Sequence, residues 1–279
     1  MPLDKFQKGI IEVVRANRDV KSPFAGGSVI QQHGIRFSDD QDVFTSGNLD
    51  TIMRRDTQAL TAAGYTVVPG DSFTGFRECI VAKPMIGRTV LQWTLGLVDE
   101  FYAPVPDPLF GFRLHFADLA VNKALAAGSR MEKRDFVDLW MLDRHVMPLW
   151  RMACAVPGKQ PALNPFSLIE NISRNWNFAA GKGAPADGLL LTRDLSLEEV
   201  GSGLTDSIHE ARIVLRGVAS ECFGRLEVDA QRQPVLTRAV TTGGHWATPQ
   251  PGGGMPSFEG VDSEMIAGLI EEYGPEGSR

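Results

Sequence analysis

Over its first hundred residues the chain alternates segments of helical and strand periodicity. That alternation, interrupted by a proline-rich connector, restricts it to a layered sheet-and-helix fold. Apolar Ile10, Ile11, Val13 and Val14, ahead of Arg15 and Arg18, read as a short opening helix. A break follows at Ser22-Pro23, and small residues over 24–28 lead into a helix over 29–34 that Gly34 is placed to close. The pattern then predicts a strand over 37–45, a helix over 50–63 ending at Gly64, and strands over 65–68, 79–82 and 89–94. These β-branched runs are too apolar for a solvent-facing hairpin. After the connector 103–108 the periodicity becomes helical, over 116–127, 133–145, 165–176 and 197–218. Ser196 is placed to cap the last of these, with Glu198 and Glu199 near its positive end. We therefore divide the chain into a core over 1–108 and a mainly helical region over 109–279. Within the latter, 224–235 suggests a small hairpin, 241–260 a Gly/Pro-rich mobile loop, and 265–273 a short amphipathic helix.

Composition narrows the function classes. With 279 residues, 43% hydrophobic and 22% charged, the chain can bury one large core or two modest ones without staples. It contains no apolar run near the roughly 18–20 residues of a membrane span, and Asp4, Lys5 and Lys8 interrupt any secretory signal, so a cytoplasmic protein without a membrane partner is expected. Cys79, Cys154 and Cys222 form no Cys-x-x-Cys pair, and the histidines at 33, 115, 145, 209 and 245 lack zinc-site spacing. The 28 Lys+Arg against 34 Asp+Glu give a net charge of −6, which disfavours a broad grip on polyanions and leaves any phosphate to be held locally. Walker, Rossmann and nucleophile-elbow signatures are absent, and Trp140, Trp150 and Trp176 lie at core-like helical positions.

Two segments carry chemistry. Asp40 and Asp42, at i and i+2 on a strand, share a face and can share a metal ion, hard oxygen ligands suited to Mg²⁺ that also grips a triphosphate. The competing reading is that Asp39, Asp40 and Asp42 form a polar turn. Upstream, Gly26, Gly27 and Ser28 can present backbone N–H groups and a hydroxyl to phosphate oxygens, or simply cap a helix. The second segment places Lys123 on one helix face with Leu119, Ala127 and Arg130, followed by Asp135 and Asp138 at i and i+3 on the next helix. Such a lysine can meet a triphosphate while the aspartates orient it, or all of these groups can form an interhelical salt-bridge network.

Phe24-Ala-Gly-Gly-Ser28, Arg36-Phe-Ser-Asp-Asp-Gln-Asp42, Asp118-Leu-Ala-Val-Asn-Lys123 and Arg130-Met-Glu-Lys-Arg-Asp-Phe-Val-Asp138 together resemble the AbiEii/AbiGii-type nucleotidyltransferase toxin family, over roughly residues 20–150. The resemblance implies an α+β, polymerase-β-like nucleotidyltransferase core, a mixed sheet flanked by helices, with a mainly helical C-terminal region. It implies Mg²⁺-dependent transfer of a nucleoside monophosphate from an NTP to a hydroxyl acceptor such as a tRNA 3′ end, and a cognate antitoxin partner. Carried onto this chain, Asp40 and Asp42 would ligate Mg²⁺, and Gly26, Gly27 and Ser28 would hold phosphates. Lys123 would meet the triphosphate, Asp135 would be a catalytic or orienting carboxylate, and Arg130 and Asp138 would support them. Read from the residues alone, a basic edge of Arg54, Arg55, Arg130, Lys133, Arg134 and Arg144 could steer an RNA terminus or equally be a solvated face. One departure stands out: the family commonly adds a third carboxylate from a later central strand, yet 89–97 contains Gln92, Trp93 and Thr94 and no acid. Asp99 or Glu100 could reach the site from the strand end, Asp135 could substitute, or catalysis could be weak. Two alternatives to the transferase remain, a catalytically silent nucleotide-binding or interaction module and a metal-dependent phosphohydrolase using Asp40 and Asp42.

Overall fold

A computed structural model describes residues 3–32, 34–96, 99–180, 189, 191, 195–238 and 244–251. The helix expected over 265–273, most of the glycine-rich loop and His33 lie outside the described residues. The chain opens with α1 (Lys5–Val14), whose first turn is closed by a reciprocal pair: Asp4 accepts from the Gln7 N–H and the Gln7 side chain bonds back to Asp4. The core follows as β1 (Phe24–Ala25), α2 (Gly26–Ile30), β2 (Asp40–Thr45), α3 (Leu49–Ala62), β3 (Thr66–Phe73), β4 (Phe76–Lys83) and β5 (Gly87–Leu95). Asn48 caps α3, and Gly64, at φ +80°, supplies the left-handed residue that ends it.

Among the described residues seven strands form one sheet in the order β3-β4-β5-β2-β1-β7-β6, where β6 is Val105–Asp107 and β7 is Gly111–Arg113. β2 runs parallel to β5, and β1 parallel to β7; the remaining neighbours are antiparallel. The sheet therefore includes residues on both sides of position 108, with β6 inside the expected connector and β7 just after it.

Strand alternation gives the sheet two unlike faces. Val43, Val81, Leu91 and Trp93 are fully buried on the side of α1 and α3, and each such side chain contributes about 1.5–3 kcal/mol relative to exposure. The Trp93 indole N–H reaches Asp56 on α3 at 2.8 Å, and the same carboxylate accepts from Arg18. This tethers the helix to the sheet. The opposite face carries Asp40, Asp42, Phe44, Gln92 and Thr94, all half-buried.

Beyond the sheet come α4 (Phe116–Ser129), α5 (Lys133–His145), α6 (Leu149–Lys159), α7 (Pro165–Ala180) and α8 (Leu197–Val214). Ser196 caps α8 by accepting from the Glu199 N–H at 3.0 Å. Three expectations need correction. The strand expected from 37 begins at Asp40, because Ser38 turns the chain by bonding the Asp40 carbonyl and side chain. The helix expected to close at Gly34 ends at Ile30, since the Gln31 side chain turns back to accept the Arg36 N–H. The hairpin expected over 224–235 is reduced to a short return, and the strand that leads into it, β8 (Leu226–Val228), takes its ladder partner β9 (His245–Ala247) from the Gly/Pro-rich segment. That return folds around the Asp229 carboxylate, with a bridge between Val228 and Pro234 and the Val235 N–H donating to the Glu227 carbonyl. Helix α6 went unread, because Pro148 and Pro157 look like breakers. Pro148 instead precedes the first turn, and Pro157 falls near the end of the helix.

Candidate active site

The site begins where β1 ends. Asp42 lies opposite Ala25 in the β1–β2 register, so its carboxylate projects onto the turn that starts α2. Gly26 there has φ +68°, and a Cβ at that position would lie 1.8 Å from Asp42 Oδ2. Only glycine fits, both for the backbone angle and for the close approach. A Cβ at Gly27 would lie 2.5 Å from the Arg36 guanidinium. The Gly-Gly pair thus lets an acid and a base close directly onto backbone.

Across from β2 stand α4 and α5. Lys123 is buried, with Nζ 2.7 Å from Asp135 Oδ1 and 2.9 Å from Asp138 Oδ2. Asp138 also takes a two-pronged contact from Arg36, at 2.6 and 2.7 Å, and a Gln31 amide at 2.7 Å. Asp135 takes a second two-pronged contact from Arg130, at 2.5 and 3.1 Å. Burial alone would raise both carboxyls, but the cations outweigh it: Arg36 and Lys123 hold Asp138 far below the usual carboxylate range, and Lys123 and Arg130 hold Asp135 down. Burial likewise works against the Lys123 ammonium, and Asp138 and Asp135 overcome it. Two aspartates and three cations leave this cluster with a formal surplus of one positive charge.

Between the two walls lies a cavity of about 290 Å³. Gly26, Gly27, Asp40 and Asp42 form one side; Asn122, Lys123, Arg130 and Arg134 face them; Phe44, Phe76, Gln92 and Thr94 continue the sheet surface. Arg134 bridges the walls, its Nη1 lying 3.0 Å from Asp40 Oδ2. Asp42 is pushed up to about 7, first by burial and then by the charge of Asp40, while Lys123, Arg134 and Arg130 pull the other way. Two acids share a face here with too little positive charge between them.

Of the residues singled out from sequence, Gly26, Gly27, Asp40, Asp42, Lys123 and Arg130 all line this cavity. Ser28 does not; it is fully buried, and its hydroxyl bonds the Ala25 carbonyl at 3.4 Å. Asp135 and Asp138 lie behind Lys123 and hold it rather than face the cavity. Asp99 and Glu100 do not line it either. Glu100 is buried in a separate cluster with Lys159, which also meets Asp118 at 2.8 Å. Beside Asp42 in the β2–β5 register stands Gln92, whose amide donates to Glu78 on β4 at 2.9 Å. Among the described residues no group of three or more histidine, cysteine or acidic side chains is placed to hold a metal. The sequence reading missed Arg36 as an anchor, Arg134 as a partner of Asp40, and the aromatic residues Phe44 and Phe76. Phe44 was findable, since it continues the i, i+2 spacing of the acid pair.

No protein-family model matches the sequence, and no curated protein matches it either. Solved structures do. MenT4, a nucleotidyltransferase toxin from Mycobacterium tuberculosis, superposes with a TM-score of 0.52 at 15% identity, covering 78% of this chain and 84% of that one. The fold is that of the nucleotidyltransferases. A candidate nucleotidyltransferase from H. pylori superposes with a TM-score of 0.48 at 14% identity, over 78% of this chain and 99% of its own. In this nucleotidyltransferase fold the acid pair lies on the half-buried sheet face, opposite the two helices that carry the cations. No helix among the described residues is long and apolar enough to cross a membrane.

Proposed function

We propose that the protein is a Mg²⁺-dependent nucleotidyltransferase that moves a nucleoside monophosphate from an NTP to a hydroxyl acceptor at an RNA end, such as a tRNA 3′ end. One observation carries this reading: Asp40 and Asp42 face Lys123, Arg130 and Arg134 across a single cavity, where paired carboxylates and fixed cations suit a metal-bearing triphosphate. The donor set fits Mg²⁺. Both acids are hard oxygen ligands on one strand face, and the burial and mutual repulsion that raise Asp42 would be relieved by a divalent cation. With two carboxylates in reach among the described residues, phosphate oxygens and water would complete the shell. Mg²⁺ bound there would neutralise charge on the transferring phosphoryl group.

The chain's own residues do the rest by positioning. The acceptor oxygen attacks the α-phosphorus in line as the bond to the β-phosphate breaks and pyrophosphate leaves. Lys123, pinned by Asp135 and Asp138, and Arg130, pinned by Asp135, present positive charge to the β- and γ-phosphates without first having to reorganise. Arg134 would exchange Asp40 for phosphate as the substrate enters. The fold likeness to a nucleotidyltransferase toxin and the AbiEii/AbiGii-like motifs support a toxin role with a cognate antitoxin, in the cytoplasm.

The test is incubation with labelled NTPs, Mg²⁺ and total RNA. Wild-type protein should label RNA and release pyrophosphate, whereas Asp40→Ala and Lys123→Ala should not. A second reading, a silent nucleotide-binding module, is favoured by Gln92 standing where a third acid would serve and by the Arg134–Asp40 pair. Mg²⁺-independent NTP binding in calorimetry, with no pyrophosphate released, would select it.

A further inference from the structure

The face that carries the acid pair does not end with it. One strand period beyond Asp42 and Gln92, the β2–β5–β4 register aligns Phe44, Thr94 and Phe76, and all three line the same cavity. The row then leaves the cavity. Phe73, across the two-residue turn that joins β3 to β4, stacks on Phe76 with ring centroids 4.6 Å apart and planes 15° from parallel. Phe73 is 61% exposed and the neighbouring Leu95 52% exposed. Arg77 makes the hairpin tip rigid, donating to the carbonyls of both Phe73 and Phe76 and pairing with Asp50 on α3. Two parallel rings held by their own backbone, one inside the cavity and one in solvent, form a prearranged stacking surface.

The placement of charge separates this surface from the phosphate side. Lys123 and Arg130, from α4 and the turn after it, stand on the wall facing the sheet, so the triphosphate belongs there. At about 290 Å³ the cavity lies at the small end of ligand pockets. The aromatic row continues beyond the cavity to exposed Phe73. That suits a chain whose successive bases extend into solvent.

Building on the nucleotidyl-transfer reading, we propose that Phe76 and Phe73 form a stacking shelf for the unpaired terminal bases of a single-stranded RNA acceptor, bringing its terminal hydroxyl to Asp40 and Asp42. Recognition is by base faces and is tolerant of sequence, because every base offers a π surface.

The test is fluorescence anisotropy of a labelled single-stranded oligoribonucleotide at low, fixed salt, without NTP, beside calorimetry of NTP binding to the same preparations. Phe76→Ala should weaken RNA binding roughly tenfold, and Phe73→Ala by several-fold. Phe73→Trp, with a larger ring, should restore or tighten it, and Phe73→Ala should leave NTP affinity within about twofold of wild type. A blunt duplex should compete poorly. Unchanged RNA affinity in a Phe73→Ala, Phe76→Ala double variant with native circular dichroism would overturn the shelf. So would equal weakening by Phe73→Trp and Phe73→Ala, or a loss confined to NTP, which would assign the rings to the incoming base. Binding is read without turnover, so ring-dependent RNA binding in a protein that never labels RNA would sink the transferase reading alone.

Discussion

Helix α4 carries two contacts to buried lysines that look alike on paper and differ in consequence. Lys123 sits between Asp135 and Asp138, and Lys159, from α6, sits between Asp118 of α4 and Glu100. In the first cluster two arginines join, so cation exceeds anion and the lysine opens onto a cavity. In the second, Lys159 is the cation that both carboxylates meet. Burial, partly offset by Lys159 and reinforced by Asp118, pushes Glu100 up to about 9, the direction that favours its neutral form. Asp118, held down against burial by Lys159, is satisfied by the N–H groups of Phe101 and Tyr102 at 2.9 Å each. One cluster keeps a surplus charge beside a cavity; the other ties the segment after β5 to the helical layer. A buried lysine with two carboxylates is therefore not in itself a sign of function.

The largest effects should separate the two lysines. Lys123→Met should lower nucleotidyl transfer by about 10²–10³-fold, the cost of removing a prearranged charge from a developing anionic centre. Lys159→Met should leave the rate per folded molecule near wild type and instead cost about 3–5 kcal/mol of stability, the usual result of orphaning a buried ion pair. Label transfer and denaturant unfolding on both variants check this. Equal loss of transfer in the two would break the distinction.

A second separation uses pH. A carboxyl raised from 4.5 in the unfolded chain to about 9 in the folded one keeps a proton on the native state between those values. Native protein binds more protons than unfolded across that window, so the contribution of Glu100 favours folding below about 4.5 and is progressively lost as pH rises toward 9. Glu100→Gln removes that dependence. Its unfolding midpoint should gain on wild type steadily from pH 5 to pH 9. Parallel curves would mean that Glu100 ionises freely and that the second cluster is no more neutral than the first.

How much of this could be read beforehand follows from the range of the interactions. Period-2 alternation in β2 is local, so Asp40 and Asp42 could be put on one face from spacing alone, and the helical stripe through Lys123 was equally visible. The cap at Ser196 and the stop at Gly64 depend on three or four residues and were legible too, whereas the equally local Asn48 cap was not picked out. What spacing could not show was long-range. Arg36 meets Asp138 across 102 positions, Arg134 meets Asp40 across 94, and Asp118 serves the other lysine. Ser28 reads as a phosphate donor until packing turns its hydroxyl inward. The β8–β9 pair was hidden for the same reason, since β9 lies in a segment whose glycines and prolines signal only loop.

The smallest effect, and the sharpest probe of whether the two clusters are insulated, belongs to Asn122. It is the residue before Lys123 on α4; its amide oxygen accepts from Lys159 at 3.0 Å, yet the side chain also lines the cavity. If its work lies with the closed cluster, Asn122→Ala removes one hydrogen bond to a charged group that keeps both of its carboxylates. That should cost about 1.5–3 kcal/mol at most, and nearer 1 kcal/mol if water replaces the amide. NTP affinity, measured by calorimetry on the folded variant, should then stay within about twofold. A tenfold loss would show the amide touching substrate. Lys159 would then be coupled to the site through a single side chain, and the two clusters would be one extended network spanning α4.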